Sequence, residues 1–311
     1  KIHTRDGDCC GIIAAASVED YENNVIKRHE DTIAHREELF KEYLKVVGFN
    51  TEPVLLTYPD DPVINELLEE RMRSRPEYEF ATANKEIHSL WLIDEPENIE
   101  RIRQQFAAIE QLYIADGHHR SAAAARVAKA RGETAGRFLA VLFPSDELLI
   151  RAYNRVVRDL GSLSEVEFLA RLDKKFIVTL ADTPVQPRQP TQIGLCLKSG
   201  WRKLERRNPP SPEAPTEDRI DVALLMNDIL EPLLVIKDPR TDPRLDFIGG
   251  ADVLEKMAER VSSGAAAVGF ALYPTAMGEL MAVADSGEIM PPKSTWFEPK
   301  LADGLIAHLI D

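Results

Sequence analysis

Short apolar runs alternate along the chain with longer segments whose apolar residues recur at helical spacing. The compact runs predict buried strands, and they lie in CGIIAAAS, EPVLLTY, EIHSLWL, QLYIAD, GRFLAVLFP and LLIRAYNRVV. The periodic segments predict helices, and they lie at 18–47, in NELLEERMRSR, in PENIERIRQQFAAIEQ and at Ser121–Arg131. Strands and helices that alternate in this way predict a mixed α+β fold.

Capping residues indicate where several of the predicted helices begin or end. Ser17 or Asp20 would cap the helix at 18–47, and Pro96 stands at a permitted first helical position. Gly132 has the position of a C-cap after Arg131. A capping box is predicted where Glu167 follows Ser164 by three residues, so a further helix should begin there.

The second half of the chain is less regular. Two polar, proline-rich stretches, DTPVQPRQP and RRNPPSPEAPTED, predict loops, and the segment RIDVALLMNDILEPLL after them predicts one apolar helix. The segments DFIGG, AAAVGFALYP and ELMAVADSGEIMPPKSTWFEPK predict short strands separated by turns.

Composition and charge narrow the class of protein. The 311 residues carry a net charge of −14, which disfavours a nucleic-acid-binding surface. Three cysteines without C-x-x-C spacing predict neither a disulfide framework nor a zinc site, and they favour a reducing, cytoplasmic location. No apolar run reaches the roughly 20 residues of a membrane helix. The chain starts without methionine inside a hairpin-like pattern, so we expect N-terminal sequence to be missing.

The most informative stretch is YIADGHHRSAAAAR, where a strand gives way to a helix. Asp116 is a good N-cap residue, and Gly117 allows a tight turn. The amides of residues 118–120 would then be donors at the positive end of the helix dipole, and Arg120 would add a planar fork for phosphate oxygens. Alanines after Arg120 would let the helix lie close to the sheet. The alternative is a capped helix whose histidines bond only nearby carbonyls.

Two other motifs carry candidate chemistry. The segment RHEDTIAH lacks the H-E-x-x-H spacing of a metalloprotease helix, so His29, Glu30 and Thr32 are either a polar cluster facing a site or solvated surface. The segment MPPKSTWFEPK resembles the end of a P-loop at Lys293, Ser294 and Thr295, but the glycine-rich part is absent. Neither G-x-G-x-x-G nor G-x-S-x-G occurs, which disfavours dinucleotide oxidoreductases and α/β-hydrolases.

Five motifs together resemble the domain-of-unknown-function 1015 family, from about residue 18 to the C-terminus. They are YEN...IKRHEDT, PVLLTYPDD, YIADGHHR, VLFPSDELLIRAYNRVV and MPPKSTWFEPK. The resemblance implies a ParB/sulfiredoxin-like core, related to the free serine kinases, in residues 1–160, with a C-terminal α/β region at 161–311 packing on it. Two features depart from the family pattern: Ser121 replaces an aromatic residue, and the usual N-terminal segment is absent.

The resemblance also implies roles for individual residues. Asp116, His118 and His119 would be catalytic together with Glu30 as acid or base, and Asp116 would also place Mg²⁺. The predicted phosphate-binding residues are Gly117, His119, Arg120, Lys293, Ser294 and Thr295. The predicted substrate-binding residues, which lie in the same motifs, are His29, Tyr58, Asn154 and Arg155.

Three functions follow as hypotheses. The first is a phosphotransferase that acts on a small hydroxylated metabolite, free L-serine being the leading candidate, with ATP, ADP or pyrophosphate as donor. The second is a non-catalytic protein that senses a nucleotide or phosphate through the same site. The third is a ParB-like, nucleic-acid-associated protein, which conflicts with the net charge of −14.

Overall fold

The computed structural model describes residues 1–32, 34–132, 135–250 and 252–310. Internal contacts divide the chain into two compact units. The first comprises Lys1–Leu149 together with Phe297–Asp311, and the second comprises Ile150–Trp296. The predicted regions 1–160 and 161–311, and the ParB-like character of the first, stay predictions. Within the described residues no helix has the length and apolar composition needed to cross a membrane.

The first unit is built on a mixed five-stranded sheet. The strands of this unit are β1 (Ile2–Thr4), β2 (Gly7–Cys9), β3 (Ile12–Ser17), β4 (Ile26–Lys27), β5 (Phe49–Asn50), β6 (Val54–Tyr58), β7 (Tyr78–Ala81), β8 (Ile87–Leu90), β9 (Leu112–Asp116), β10 (Arg137–Pro144) and, near the C-terminus, β19 (His308–Leu309). The five-stranded sheet has the order β3-β10-β6-β9-β4, and β2-β1-β8-β7 form a second sheet. β4 runs parallel to β9, so both strands end at the same edge.

The helices that the described residues form in this unit are α1 (Val18–Glu22), α2 (Ala34–Val47), α3 (Pro62–Met72), α4 (Pro96–Ala108) and α5 (His118–Arg131). Ser17, Pro96 and Gly132 cap or begin their helices as predicted. The single helix predicted at 18–47 is wrong, although residue 33 itself lies outside the described residues. It ends at Glu22 because Asn24 adopts a left-handed conformation, φ 60°, and β4 then joins the sheet.

Helix α5 is buried on two sides. Ala122, Ala124 and Ala125 face the apolar core beneath the five-stranded sheet. Ala123 and Val127 pack with Leu44 of α2 in a smaller cluster. Alanine at these positions leaves room for both neighbours, which confirms the predicted close packing and fixes the first turn of α5 between them.

The second unit is dominated by an antiparallel six-stranded sheet with the order β13-β15-β14-β17-β12-β16. Its strands are β12 (Asn154–Val157), β13 (Phe176–Ala181), β14 (Gln192–Leu197), β15 (Gly200–Arg206), β16 (Leu245–Ile248) and β17 (Val268–Ala271), while β11 (Leu149–Ala152) and β18 (Thr295–Glu298) span the sequence boundaries between units. Its helices are α6 (Glu165–Leu172), α7 (Thr216–Arg219), α8 (Asp221–Leu225), α9 (Glu231–Leu234), α10 (Val253–Ser262) and α11 (Met277–Ser286), and Met226–Leu230 form a π-helical turn.

Sequence patterns predicted the helices and strands of the second unit only in part. The capping box of Ser164 and Glu167 is present at the start of α6. The hairpin of β14 and β15 was not predicted, and the apolar segment predicted as one helix after residue 219 is interrupted by the π-helical turn. The segment that begins at Met277 is helical rather than a series of short strands, because Glu279 caps the first turn by accepting from the Ala276 amide.

Candidate functional site

A left-handed glycine makes the turn between β9 and α5. The pairing of β6 with β9 shifts register between Leu55 and Leu56, which leaves Asp116 opposite Leu55 at the end of the strand. Gly117 then has φ 101° and is the N-cap, so the prediction that Asp116 caps the helix is wrong. The Asp116 side chain points to the exposed side instead, where half of its surface is accessible. Bulges of this kind re-aim side chains near functional sites.

Arg120 folds back over this turn. Its Nη2 lies 3.7 Å from Asp116 Oδ2, and its Nη1 lies 3.7 Å from Glu52 Oε2. A Cβ atom on Gly117 would stand 2.9 Å from Arg120 Nε, so the guanidinium holds its present position only while residue 117 has no side chain. Both ion-pair distances exceed those of hydrogen bonds. The guanidinium is therefore held over the helix N-terminus by long-range attraction rather than by a tight bidentate pair.

The backbone donors of the first helical turn are partly used. The Arg120 amide donates to the Gly117 carbonyl at 2.9 Å, and the Ser121 amide donates to the same carbonyl at 3.1 Å. The prediction that the Arg120 amide is free for a ligand is therefore wrong. The positive end of the 14-residue helix still faces the turn, so the electrostatic preference for an anion remains.

A second cation reaches the turn from the C-terminal segment of the same unit. Lys300 Nζ lies 3.8 Å from Asp116 Oδ2. Lys293 in the motif MPPKSTWFEPK was predicted to bind phosphate, whereas Lys300 at the end of that motif was not predicted. Glu52, the other partner of Arg120, was also missed, and nothing in the sequence distinguishes it from other exposed glutamates. The turn thus combines two cations, Arg120 and Lys300, with two carboxylates, Asp116 and Glu52.

The loop after β4 brings the other histidine motif to this edge of the sheet. Ile26 pairs with Leu112 and Lys27 with Tyr113, so the chain beyond β4 emerges beside the end of β9. The His29 ring there contacts the His118 ring edge to face, with centroids 4.5 Å apart. The loop is fixed on its far side by Thr32, whose hydroxyl donates to the buried carboxylate of Glu37 on α2. His29, predicted to be a helix residue, is therefore a buried loop residue.

Both histidines are almost completely buried, His29 being 1% exposed and His118 5% exposed. Among the described residues, no hydrogen-bond partner is present for either ring nitrogen of His29 or for Nε2 of His118. Burial lowers the pKa of His29 to about 4, although the Ile114 carbonyl and the Asp116 carboxylate nearby favour its charged form. Burial and the neighbouring cationic groups hold the pKa of His118 well below its usual range. Both rings are therefore neutral near pH 7.

Glu30 completes a group of three side chains that could hold a metal ion. One ligand atom from each of His29, Glu30 and His118 lies within 4.8 Å of the others. The two histidines do not form an H-E-x-x-H helix, because His29 lies in the loop after β4 and His118 begins α5. The structure thus brings together three predicted residues, Glu30, His118 and His29. Asp116 is close to them in the chain, since only Gly117 separates it from His118.

Arg155, Asn154 and Lys293, three of the predicted residues, have structural partners within the second unit. Arg155 is buried, and its Nη2 donates to the carbonyls of Pro292 at 3.2 Å and Lys293 at 3.0 Å. Asn154 Oδ1 accepts from the Leu272 amide at 2.8 Å. Lys293 Nζ lies 5.6 Å from the centre of the Tyr153 ring. The predicted ligand-binding roles of these residues, and of Ser294 and Thr295 beside them, stay predictions.

Tyr58 lies in the apolar core of the first unit. Its ring is fully buried and packs edge to face against Phe106, with centroids 5.0 Å apart. Asp116 pairs opposite Leu55, so Tyr58 is three residues further along β6, which is about 10 Å. The structure therefore does not bring Tyr58 to the turn.

Described residues of the first unit line a small cavity and a larger one. A small one of about 20 Å³, the size of one water molecule, is bordered by Arg120 and Glu52 and by residues of α2 and β5. A larger one of about 430 Å³ is lined mainly by apolar residues of β3, β8, β10 and α4. None of the predicted site residues lines the larger cavity.

Comparisons with known proteins give a family and a fold. The model of a family described as "Protein of unknown function (DUF1015)" matches residues 2–223. SbnI with C-terminal truncation from Staphylococcus aureus is 13% identical, with a TM-score of 0.50 over 94% of this chain and 85% of that chain.

Two further solved structures are similar at lower TM-scores. A conserved hypothetical protein from Pyrococcus furiosus is 14% identical, with a TM-score of 0.46 over 96% of this chain and 95% of that chain. A free serine kinase in complex with AMP is 15% identical, with a TM-score of 0.46 over 97% of this chain and 92% of that chain. No curated protein matches the chain. At these identities the likeness to SbnI indicates a shared fold.

Proposed function

The chain belongs to the DUF1015 family, and on that premise we propose that it transfers a phosphoryl group from a nucleotide or pyrophosphate to a small hydroxylated metabolite. Free L-serine is the leading acceptor because the motifs resemble those of free serine kinases. The observation that carries the proposal is the β9–α5 turn, where the start of a helix and two cations, Arg120 and Lys300, converge. Phosphoryl transfer depends mainly on such positioning and charge neutralisation.

The donor phosphates would occupy the turn itself. The helix dipole and the guanidinium of Arg120 favour phosphate oxygens there, and Lys300 adds a second positive charge. A phosphate would compete with Asp116 and Glu52 for these cations. Because the present ion pairs are 3.7–3.8 Å long, the cations can turn towards a ligand at little cost.

Asp116 is the residue of this turn whose side chain suits Mg²⁺. The ion prefers carboxylate, phosphate and water oxygens, and it commonly uses only one or two protein carboxylates. The Asp116 carboxylate is half exposed, and its two ion pairs are too long to be hydrogen bonds. Asp116 together with donor phosphate oxygens would therefore hold Mg²⁺, which would neutralise charge on the phosphates when bound.

Glu30 is the residue we assign as general base. The acceptor hydroxyl oxygen forms a bond to phosphorus while the bond from phosphorus to the leaving phosphate oxygen breaks, and the hydroxyl proton passes to the Glu30 carboxylate. His119, half-buried in the first turn of α5, would contact the leaving phosphate. We assign this contact to His119 rather than His118 because His118 is buried and neutral. His29 would border the acceptor site beside Glu30.

Phosphorus NMR tests the proposal directly. Purified protein would be supplied with Mg²⁺ and L-serine, and with ATP, ADP or pyrophosphate in separate samples. We expect a phosphoserine signal with one donor and none with a Glu30→Gln variant. If all three donors give no signal while they bind measurably, the protein is a sensor of these anions or uses another acceptor. If none of the donors binds, the proposal is wrong.

A further inference from the structure

We propose that His29, Glu30 and His118 form a binding site for a divalent transition-metal ion that prefers imidazole ligands, such as zinc. The three side chains come from two separate elements, the loop after β4 and the first residue of α5. Their ligand atoms all lie within 4.8 Å of one another. Nitrogen and oxygen ligands of tetrahedral zinc, at about 2.1 Å from the ion, stand roughly 3.4 Å apart. Small side-chain rotations would close this difference.

The unpartnered imidazole nitrogens are the second, independent observation. Buried polar atoms nearly always have a hydrogen-bond partner, and an orphaned one calls for an explanation such as an ion. Both nitrogens of His29 and Nε2 of His118 lack partners among the described residues, and both rings are at least nine-tenths buried. Without a metal, these three nitrogens lose their contact with water and gain no hydrogen bond from the described residues. With one, they serve as the neutral donors that metal coordination requires.

The ligand set defines which ions fit. Two imidazoles and one carboxylate suit zinc, cobalt or iron, whereas magnesium and calcium prefer oxygen ligands alone. Three protein ligands leave a fourth position for water or substrate, as in catalytic rather than structural sites. The Ile114 carbonyl lies near the His29 ring and could orient it once a metal fixes the other nitrogen. This site is therefore chemically distinct from the magnesium position at Asp116.

Metal binding here has a consequence for the proposed function, and this consequence alone rests on that proposal. Glu30 cannot accept a proton from the acceptor hydroxyl while it coordinates a cation. Zinc should therefore inhibit phosphoryl transfer at concentrations that fill the site, and excess Mg²⁺ should not relieve the inhibition. The binding itself needs no catalytic activity.

Cobalt is the probe for the test, because Co²⁺ in a site of low coordination number absorbs visible light. The full chain, stripped with a chelator and dialysed, would be titrated with Co²⁺ in the presence of millimolar Mg²⁺. We expect one equivalent to bind with a visible spectrum, and Zn²⁺ to displace it. Glu30→Gln and His118→Gln should each weaken binding by at least tenfold. His35→Asn, which removes an exposed histidine of α2, should leave binding unchanged.

Two outcomes would overturn the proposal. One is the absence of Co²⁺ binding by the folded wild-type chain, and the other is equal binding by wild type and the Glu30→Gln variant. Glu30 is only half-buried, so this variant is expected to fold even if His118→Gln does not, and circular dichroism would check both. Because absorbance reports binding without turnover, failure of this site and failure of the phosphotransferase proposal are separate results.

Discussion

The rings of His29 and His118 meet edge to face with their centroids 4.5 Å apart, although one follows β4 and the other opens α5. The parallel pairing of β4 with β9 produces this contact, because it places the ends of both strands at the same edge of the sheet. Two motifs that are distant in the sequence, RHEDT and DGHHR, thereby form one cluster.

Replacing Gly117 with alanine should lower the free energy of unfolding by about 1–3 kcal/mol and weaken pyrophosphate binding. The new Cβ would be strained at φ 101° and would stand 2.9 Å from Arg120 Nε, so the guanidinium would have to move. Urea denaturation and calorimetric titration measure the two effects. Gly287→Ala is the matched control, since φ there is 76° with no atom within 4 Å, and it should cost stability without changing binding.

Replacing Lys300 with alanine should weaken pyrophosphate binding roughly threefold to fivefold, because it removes an exposed charge beside Asp116. Titration calorimetry at low ionic strength measures the change, and added salt should diminish it. Lys129→Ala removes an exposed lysine from the last turn of α5 and should have no effect. Lys293→Ala tests the residue that sequence analysis selected, and a larger loss there than at Lys300 would reassign the second cation.

Replacing Glu37 with alanine should destabilise the chain by about 1–3 kcal/mol. This buried carboxylate accepts from Thr32 and forms an ion pair with Arg126, so it ties the loop that carries Glu30 to both α2 and α5. Thermal unfolding measures the loss, and Co²⁺ binding should weaken as the loop loosens. Among the described residues, Glu42→Ala on the same helix removes exposed ion pairs with Lys41 and Lys45, so a loss as large as that of Glu37→Ala would contradict this account.

Asp221 should make the stability of the protein depend on pH. Burial raises the pKa of this carboxyl to about 7, against the opposing effect of the amides of Thr191 and Tyr273 that donate to it. Between about pH 4 and pH 7 the folded chain keeps this proton while the unfolded chain releases it, so the free energy of unfolding should fall as pH rises. Urea denaturation across this range should show a shallower decline in Asp221→Asn, and an identical decline would refute the assignment.

Much of the first unit was predictable because its local signals agree with its tertiary contacts. The strand that ends at Asp116, the packing of the alanines of α5 and the C-cap at Gly132 all follow from pattern and residue type. The long helix at 18–47 failed because Ile26 and Lys27 pair with β9, and helical periodicity cannot reveal such a pairing. Asn23 and Asn24 were the sequence signal for an earlier helix end, since asparagine readily adopts the left-handed conformation that ends a helix.

The candidate site was predictable in residue type but not in arrangement. Asp116, Arg120, His118 and Glu30 were named from their motifs, yet their mutual positions depend on strand order, which the motifs do not encode. Lys300 was missed because Lys293 lies in a more suggestive sequence, although only Lys300 belongs to the unit that contains the turn. The burial of His29 and His118 could not be predicted either, because both have polar neighbours in the sequence.

The most direct test of the anion site is titration calorimetry of ADP and pyrophosphate into the wild type and the Arg120→Ala variant. Arg103→Ala, which removes an exposed arginine of α4, is the control. We predict at least tenfold weaker binding in Arg120→Ala, with a melting temperature close to that of the wild type, since the ion pairs of the guanidinium with Glu52 and Asp116 are both 3.7 Å long. Equal affinity in the wild type and Arg120→Ala would contradict the central claim that the β9–α5 turn holds the phosphates.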